Sequence, residues 1–295
     1  MRSATQRLRE SGSDTPRLDA ELLLGHVLGI DRASLLAHPE APVGQGQLEA
    51  FAAALERRAA GEPVAYIRGL KEFFSLALAV DQRALIPRPE TERVVELALE
   101  RLSEMLTAAP RPELAPPLRA WDVGTGSGAV AVALAVEARR RGYGRDVRVL
   151  ATDASPEALA LALENAVAHG VADVVEFATA DLLELPAAGR ADLVLANLPY
   201  IPSADVPGLP VAASFEPVGA LDGGPDGLVH IRRLLGGLSS VLVPGGSCLL
   251  EIGDKQADAV VAAAESLLPG WHHAVYADLA GLPRVVEVRP PSQPG

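Results

Sequence analysis

Hydrophobic spacing changes character twice along this chain, and the changes divide it. Between residues 16 and 60, Leu18, Leu22, Leu23, Val27 and Leu28 recur at helical spacing, and Leu48, Phe51 and Leu55 continue the pattern. Gly29, Pro39 and Pro42 interrupt it, so the prediction is a bundle of short helices. From Lys71 to Pro87 the period shortens towards two. Phe73, Phe74, Leu76, Leu78 and Val80 partly alternate, Asp81-Gln82-Arg83 offers a turn, and Ala84 to Pro87 returns. That pattern predicts a β-hairpin turning at 81–83. Glu90 or Thr91 then starts a helix running to about Met105. Four prolines between Ala108 and Pro117 predict a loop.

Beyond residue 118, short apolar runs alternate with helical stretches. Strands are expected near 118–122, 147–152, 174–179, 191–196, 246–252, 272–277 and 283–288. Helices are expected near 128–141, 156–168, 226–242 and 255–267. This alternation defines an α/β class with a doubly wound, mostly parallel sheet. Residues 278–282 are too few for a crossover helix, so the last two strands should be antiparallel. The expected organisation is a helical domain over 1–70, a β-hairpin linker over 71–90, an α/β domain over 91–289 and a frayed tail over 290–295.

Composition narrows the function classes. With 49% hydrophobic and 22% charged residues among 295, the chain can bury a large core. Its net charge of −12 disfavours a nucleic-acid-coating role, because few phosphates would be neutralised. The single cysteine, Cys248, makes no intrachain disulfide, and no Cys/His cluster has metal-ligand spacing. No apolar run reaches membrane-spanning length and the N-terminus lacks a signal-peptide core, which fits a cytoplasmic protein. The sequence is silent on oligomeric state.

The first α/β strand ends in Asp122-Val123-Gly124-Thr125-Gly126-Ser127-Gly128 and runs into a helix. A glycine turn there lets a ligand approach the backbone and aims a helix N-terminus at it. Asp153, ending the second strand, can accept from both hydroxyls of a ribose. The loop also satisfies a loose dinucleotide pattern. Asp122 argues against a pyrophosphate, which it would repel, and for the ammonium of a methionine moiety. S-adenosyl-L-methionine fits that charge pattern, its sulfonium being a cation as well. A turn-capping role for Asp122 is the plain alternative. Asp181 and Leu182 follow the third strand, where an adenine ring would meet them; a helix N-cap is the structural alternative for Asp181.

Asn197-Leu198-Pro199-Tyr200 closes the fourth strand. By itself it reads as a turn. In this sheet it can hold a planar NH2 group: the Asn197 oxygen and the Leu198 carbonyl accept two hydrogens, Tyr200 covers the plane, and Pro199 stiffens the turn. A nitrogen held so opposite a methyl donor is a methylation site, with Asn197 also near the donor.

Together these residues resemble the class I, Rossmann-like S-adenosylmethionine-dependent methyltransferases of the amino-group type, and within them the PrmC/HemK family. Further matches are Leu18-Asp-Ala-Glu-Leu-Leu23, Gly61-Glu-Pro-Val-Ala-Tyr-Ile67, Leu85-Ile-Pro-Arg-Pro-Glu-Thr-Glu92, Glu216-Pro217, Glu251-Ile-Gly253 with Gln256, and Asp278-Leu-Ala-Gly281. The resemblance implies a seven-stranded sheet, an N-terminal domain that recognises substrate, and methylation of the N5 side-chain amide nitrogen of glutamine in the Gly-Gly-Gln motif of class 1 peptide chain release factors. No stable nucleic-acid partner is expected. Arg88 and Glu90 are candidate lid residues over the substrate; an interdomain salt bridge is the alternative. Two positions depart from the family. Leu198 stands where its first proline usually lies, and Phe74-Ser75 replaces an aromatic-glycine pair. Two rivals share part of the pattern: an amino methyltransferase acting on adenine or guanine, and a nicotinamide-dependent oxidoreductase. A catalytically silent binding module is the remaining alternative.

Overall fold

A computed structural model describes residues 1–108, 115–185 and 189–291. Most of the expected 108–117 loop and the end of the tail fall outside those residues. The chain forms two compact units, one made of Met1–Leu70, Val80–Gln82 and Leu209–Glu216, the other of the remainder.

The first unit is helical: α1 (Arg2–Glu10), α2 (Pro16–Leu28), α3 (Arg32–Ala37), α4 (Gln45–Ala59) and α5 (Val64–Arg68). Pro16 opens α2 and Gly29 closes it in the left-handed conformation. The buried face differs from the one the apolar spacing predicts. Leu18 and Leu48 are exposed, while Ala20, Leu23, Leu24, Asp19 and Glu21 are buried. The acids can turn inward because they are paired: Arg58 Nε and the Ser13 and Thr15 hydroxyls donate to Asp19, and Arg17 and Arg32 to Glu21. Apolar periodicity alone misses such a face. Leu8, Phe51, Ala54 and Ile67 complete this small core.

The second unit begins within a hairpin, one residue into β1 (Leu70–Phe73), and continues through β2 (Leu76–Ala79). Its turn is Phe74-Ser75, both at positive φ (49° and 60°), rather than 81–83. Ala84–Pro87 forms no strand. A two-residue turn with both positions left-handed matches strand twist, which explains why it prevails over the longer, polar 81–83 segment. Asn165 ties this hairpin to the glycine loop. Its amide oxygen accepts from Ala79 N, and its NH2 donates to the carbonyls of Ala79 and Ser127.

Seven strands form one sheet in the order β5-β4-β3-β6-β7-β9-β8. They are β3 (Leu118–Val123), β4 (Val147–Asp153), β5 (Val175–Thr179), β6 (Ala191–Ala196), β7 (Leu242–Glu251), β8 (His272–Ala277) and β9 (Pro283–Arg289). The first five in that order run parallel, and β9 lies antiparallel between β7 and β8. The expected antiparallel ending is therefore present. β7 starts four residues before its predicted beginning, through a register shift against Ala191 and Leu193 that accommodates Pro244-Gly245-Gly246. The helices are α6 (Glu92–Thr107), α7 (Ala129–Arg140), α8 (Pro156–Ala168), α9 (Val229–Val241) and α10 (Ala257–Leu267).

Two apolar layers sandwich the sheet. One contains Leu97, Leu134, Leu193 and Leu249; the other contains Trp121, Ile231, Leu235 and Leu250. Trp121 keeps its indole N–H satisfied on the Thr152 hydroxyl at 2.8 Å. Strand order changes direction at β3, between β4 and β6, and ligands of open α/β sheets bind outside the carboxyl ends of strands at such a point.

Candidate active site

The carboxyl ends of β3, β4 and β6 open onto a cavity of ≈ 330 Å³ within the second unit, a size suited to a cofactor. Asp122, Gly124 to Ser127, Asp153, Asp181, Leu182 and Asn197 to Pro199 all line it, as does Arg88. Gly128 adjoins the lining, whereas Tyr200 and Glu90 are not part of it.

The glycine loop is held by the carboxylates that flank it. Asp122 is buried and accepts from the Thr125 hydroxyl at 2.6 Å and from Ala131 N at 3.2 Å, both on Oδ2. Burial drives its pKa up to about 7, the nearby Asp153 charge adds to this, and the two hydrogen bonds oppose it. A cation in the cavity would stabilise the ionised form. Asp153 accepts from Gly126 N at 2.9 Å and Ser155 N at 2.9 Å, one on each oxygen, so acceptor capacity remains for two hydroxyls. Asp181 pairs with Arg233 at 2.9 Å and caps no helix among the described residues. Leu182 next to it has φ 52°, an uncommon left-handed leucine at the cavity wall.

Gly124 and Gly128 are fixed by packing as well as by positive φ. A Cβ on Gly124 would stand 3.1 Å from Leu198 Cδ2, and one on Gly128 would stand 2.9 Å from Ala162 Cβ. The third glycine of the loop thus serves the approach of α7 to α8.

On the opposite wall, Asn197 Nδ2 donates to Thr91 Oγ1 at 2.9 Å. The Asn197 side-chain oxygen and the Leu198 carbonyl make no hydrogen bond among the described residues. Leu198 is buried at 4% exposure, so leucine anchors the turn where proline would stiffen it. The Tyr200 carbonyl accepts from Gln256 Nε2 at 2.9 Å, and Gly223 and Gly227 pack so closely that a Cβ on either would strike Pro199 or Tyr200 backbone. Burial raises the Tyr200 phenol to about 12, with Glu251 and Glu90 adding to it and Arg284 and Arg88 opposing, so Tyr200 stays neutral.

Thr91, His230, Ala84, Leu85 and Pro87 belong to this site although their residue types alone assign them no role. Thr91 read as a helix start; its hydroxyl caps nothing and serves Asn197 instead. The signal that could have found it was the family-like run Leu85–Glu92. No group of three or more potential metal ligands occurs among the described residues, and none of their helices is long and apolar enough to cross a membrane.

Sheet order and cavity together define a class I methyltransferase fold. Residues 120–213 match the methyltransferase domain family, and residues 1–69 match the PrmC N-terminal domain family. Among solved structures, the hMettl16 catalytic domain in complex with MAT2A 3'UTR hairpin 1 superposes with TM-score 0.56 at 15% identity, over 82% of this chain and 84% of that one. That likeness is one of fold. The release factor glutamine methyltransferase of Moorella thermoacetica is 43% identical over 95% of this chain and 94% of its own length. Those of Nitratidesulfovibrio vulgaris and Deinococcus radiodurans are 39% and 38% identical, over 98% and 97% of this chain and 93% and 95% of their own lengths. The chain belongs to the release factor glutamine methyltransferase family.

Proposed function

We propose that this protein transfers a methyl group from S-adenosylmethionine to the N5 amide nitrogen of the Gly-Gly-Gln glutamine of class 1 peptide chain release factors. The observation that carries the site assignment is the pair of unengaged acceptors, Asn197 Oδ1 and the Leu198 carbonyl, on the wall of the cavity that Asp122 and Asp153 also line. The donor set suits the cofactor: Asp122 for the ammonium, Asp153 for the ribose, the loop amides for the carboxylate, Asp181 and Leu182 for the adenine. When bound, S-adenosylmethionine supplies an electrophilic methyl group on a sulfonium.

A glutamine nitrogen is a weak nucleophile because its lone pair is delocalised into the carbonyl. Asn197 Oδ1 and the Leu198 carbonyl would accept its two N–H bonds, raise electron density on nitrogen and fix the direction of its lone pair. Holding nitrogen in line with the methyl supplies much of the remaining acceleration. Tyr200, neutral and partly buried, offers the ring that covers the amide plane. Arg88 lines the cavity and Glu90 lies near Tyr200, which supports a substrate-shaping role for both. The helical unit is the proposed reader of the release factor. A reducing cytoplasm as its place of work agrees with one buried, unpaired cysteine.

The test incubates the protein with labelled S-adenosylmethionine and release factor, then with factor whose Gly-Gly-Gln glutamine is replaced. Label is expected on the first alone. Asn197→Ala should reduce turnover at least ~100-fold while calorimetry finds cofactor affinity changed by less than about threefold. Unreduced turnover in Asn197→Ala would refute its role as acceptor, and label on the altered factor would refute glutamine specificity.

A further inference from the structure

The chemistry above needs the Asn197 amide to face one way. Its two ends are an acceptor and a donor, and a half-turn about the last torsion exchanges them. With oxygen towards the substrate it accepts an N–H; with NH2 towards the substrate it repels one. Nothing in asparagine itself selects the useful orientation, so its neighbours must.

Thr91 is that neighbour, and alone it would be ambiguous. A hydroxyl can accept from Nδ2 or donate to Oδ1, so which it does depends on where its own proton goes. In the structure the Thr91 hydroxyl accepts from Asn197 Nδ2 at 2.9 Å and is hydrogen-bonded to Glu251. An ionised carboxylate can only accept. The Thr91 proton is therefore committed to Glu251, its oxygen to Nδ2, and Asn197 Oδ1 is left for the cavity.

Glu251 is placed for this by sheet register. Ala196 of β6 pairs with Leu250 of β7, so Asn197 and Glu251 are the next residues on adjacent parallel strands. Glu251 is 1% exposed, and its Oε2 has no hydrogen-bond partner among the described residues. A buried carboxylate with an unmatched oxygen costs stability, and a glutamine or leucine there would fold at least as well. Its presence there calls for a functional account.

We infer that Glu251, acting through Thr91, is a positioning residue that fixes the orientation of the Asn197 amide so that its oxygen faces the substrate nitrogen. This inference rests on the proposed methyl transfer and adds two residues to its machinery. Protonated, Glu251 becomes a donor to the Thr91 oxygen; the hydroxyl proton then lacks an acceptor unless the amide flips to present Asn197 Oδ1, so the flipped, unproductive orientation becomes the better satisfied. The charged groups facing Glu251 are Glu90 and Arg88 from the turn before α6 and Arg284 from β9. Tyr200 lies beside it, uncharged. Burial, opposed by Thr91 and the arginines, brings the carboxyl to about 7, so the change falls in the neutral range.

The experiment measures kcat and KM for release factor, and cofactor affinity by calorimetry, for Glu251→Gln, Thr91→Val, Thr91→Ser and the double variant Thr91→Val/Glu251→Gln. Expected are kcat losses of about 10- to 100-fold for Glu251→Gln and Thr91→Val, cofactor affinity within about twofold, and a double variant no worse than the poorer single one. Thr91→Ser, which keeps the hydroxyl, should retain kcat within about threefold. The wild-type kcat should fall on the acid side of neutrality with a limb that Glu251→Gln removes. A merely structural role would lower thermal midpoint and cofactor affinity with kcat, and the two losses would add; that pattern overturns the inference. So does wild-type kcat in either Glu251→Gln or Thr91→Val while the wild-type enzyme methylates release factor, which leaves the proposed function standing. Wild-type protein that fails to methylate release factor overturns that function, and this inference with it.

Discussion

Gly126 and Gly128 stand two residues apart in one loop, both at positive φ, and they should respond differently to a methyl group. A Cβ on Gly126 would find its nearest neighbour, Ala84 Cβ, at 3.9 Å. On Gly128 it would meet Ala162 Cβ at 2.9 Å and Ala162 Cα at 3.0 Å, neither of which can swing away. Gly126→Ala should therefore cost about 1–2 kcal/mol of left-handed backbone strain, and Gly128→Ala about 3 kcal/mol or more once overpacking is added. Urea titration without ligand measures both; equal losses would remove the packing explanation for the third glycine. At this scale the legible residues were those whose chemistry is local. Asp122, Asp153 and Asn197 follow glycine, strand or turn signals that a sequence displays. Thr91 lies 106 positions from Asn197 and 160 from Glu251, so the family-like runs Leu85–Glu92 and Glu251–Gly253 mark both residues while nothing local shows what they do.

Elements were legible where burial on both faces wrote a continuous apolar run. β3, β4, β6 and the helices between them lie within a residue or two of their predicted bounds, because strand length and the glycine and proline signals agree there. They failed where backbone conformation overrode side-chain pattern. Phe74-Ser75 looks like the middle of an alternating strand, and it is the turn. Ser75 is exposed at φ 60°, while Phe74 packs against the core and rests 6.5 Å from the Phe73 ring. The two positions can thus be separated experimentally. Ser75→Gly should relieve left-handed strain and stabilise the protein by about 0.5–1 kcal/mol after the unfolded chain's added freedom is subtracted. A rise in thermal midpoint with unchanged kcat is the expected result; no rise would mean that the serine sits in that turn without strain.

At the scale of the whole molecule, the buried carboxyls set a pH dependence whose sign can be worked out. Asp122 and Glu251 both lie at about 7 in the folded protein, raised chiefly by burial. Unfolded, such groups titrate near 4. Their contribution to stability is therefore complete below about pH 4 and is lost as pH rises through about 7. Glu287 behaves oppositely. Burial pushes it up, but Arg101, the Ser247 hydroxyl and the Tyr276 hydroxyl together hold it below its ordinary value, so its contribution disappears only in acid. The windows are distinct, and between about pH 5 and 7 the unliganded protein should lose thermal stability as pH rises. Ligand reverses this. A bound ammonium requires Asp122 ionised, so S-adenosylmethionine should bind more tightly at pH 7.5 than at pH 6, and its binding should release about half a proton at pH 7 and more at pH 6. An α-amino group keeps its charge to about pH 8, which leaves this interval to the carboxyl. Calorimetry in two buffers of different ionisation enthalpy counts that proton, and Asp122→Asn should abolish both the release and the pH dependence of affinity. Affinity independent of pH in the wild-type protein would detach Asp122 from the cofactor's ammonium and return it to the turn-holding role its bonds to Thr125 and Ala131 already perform.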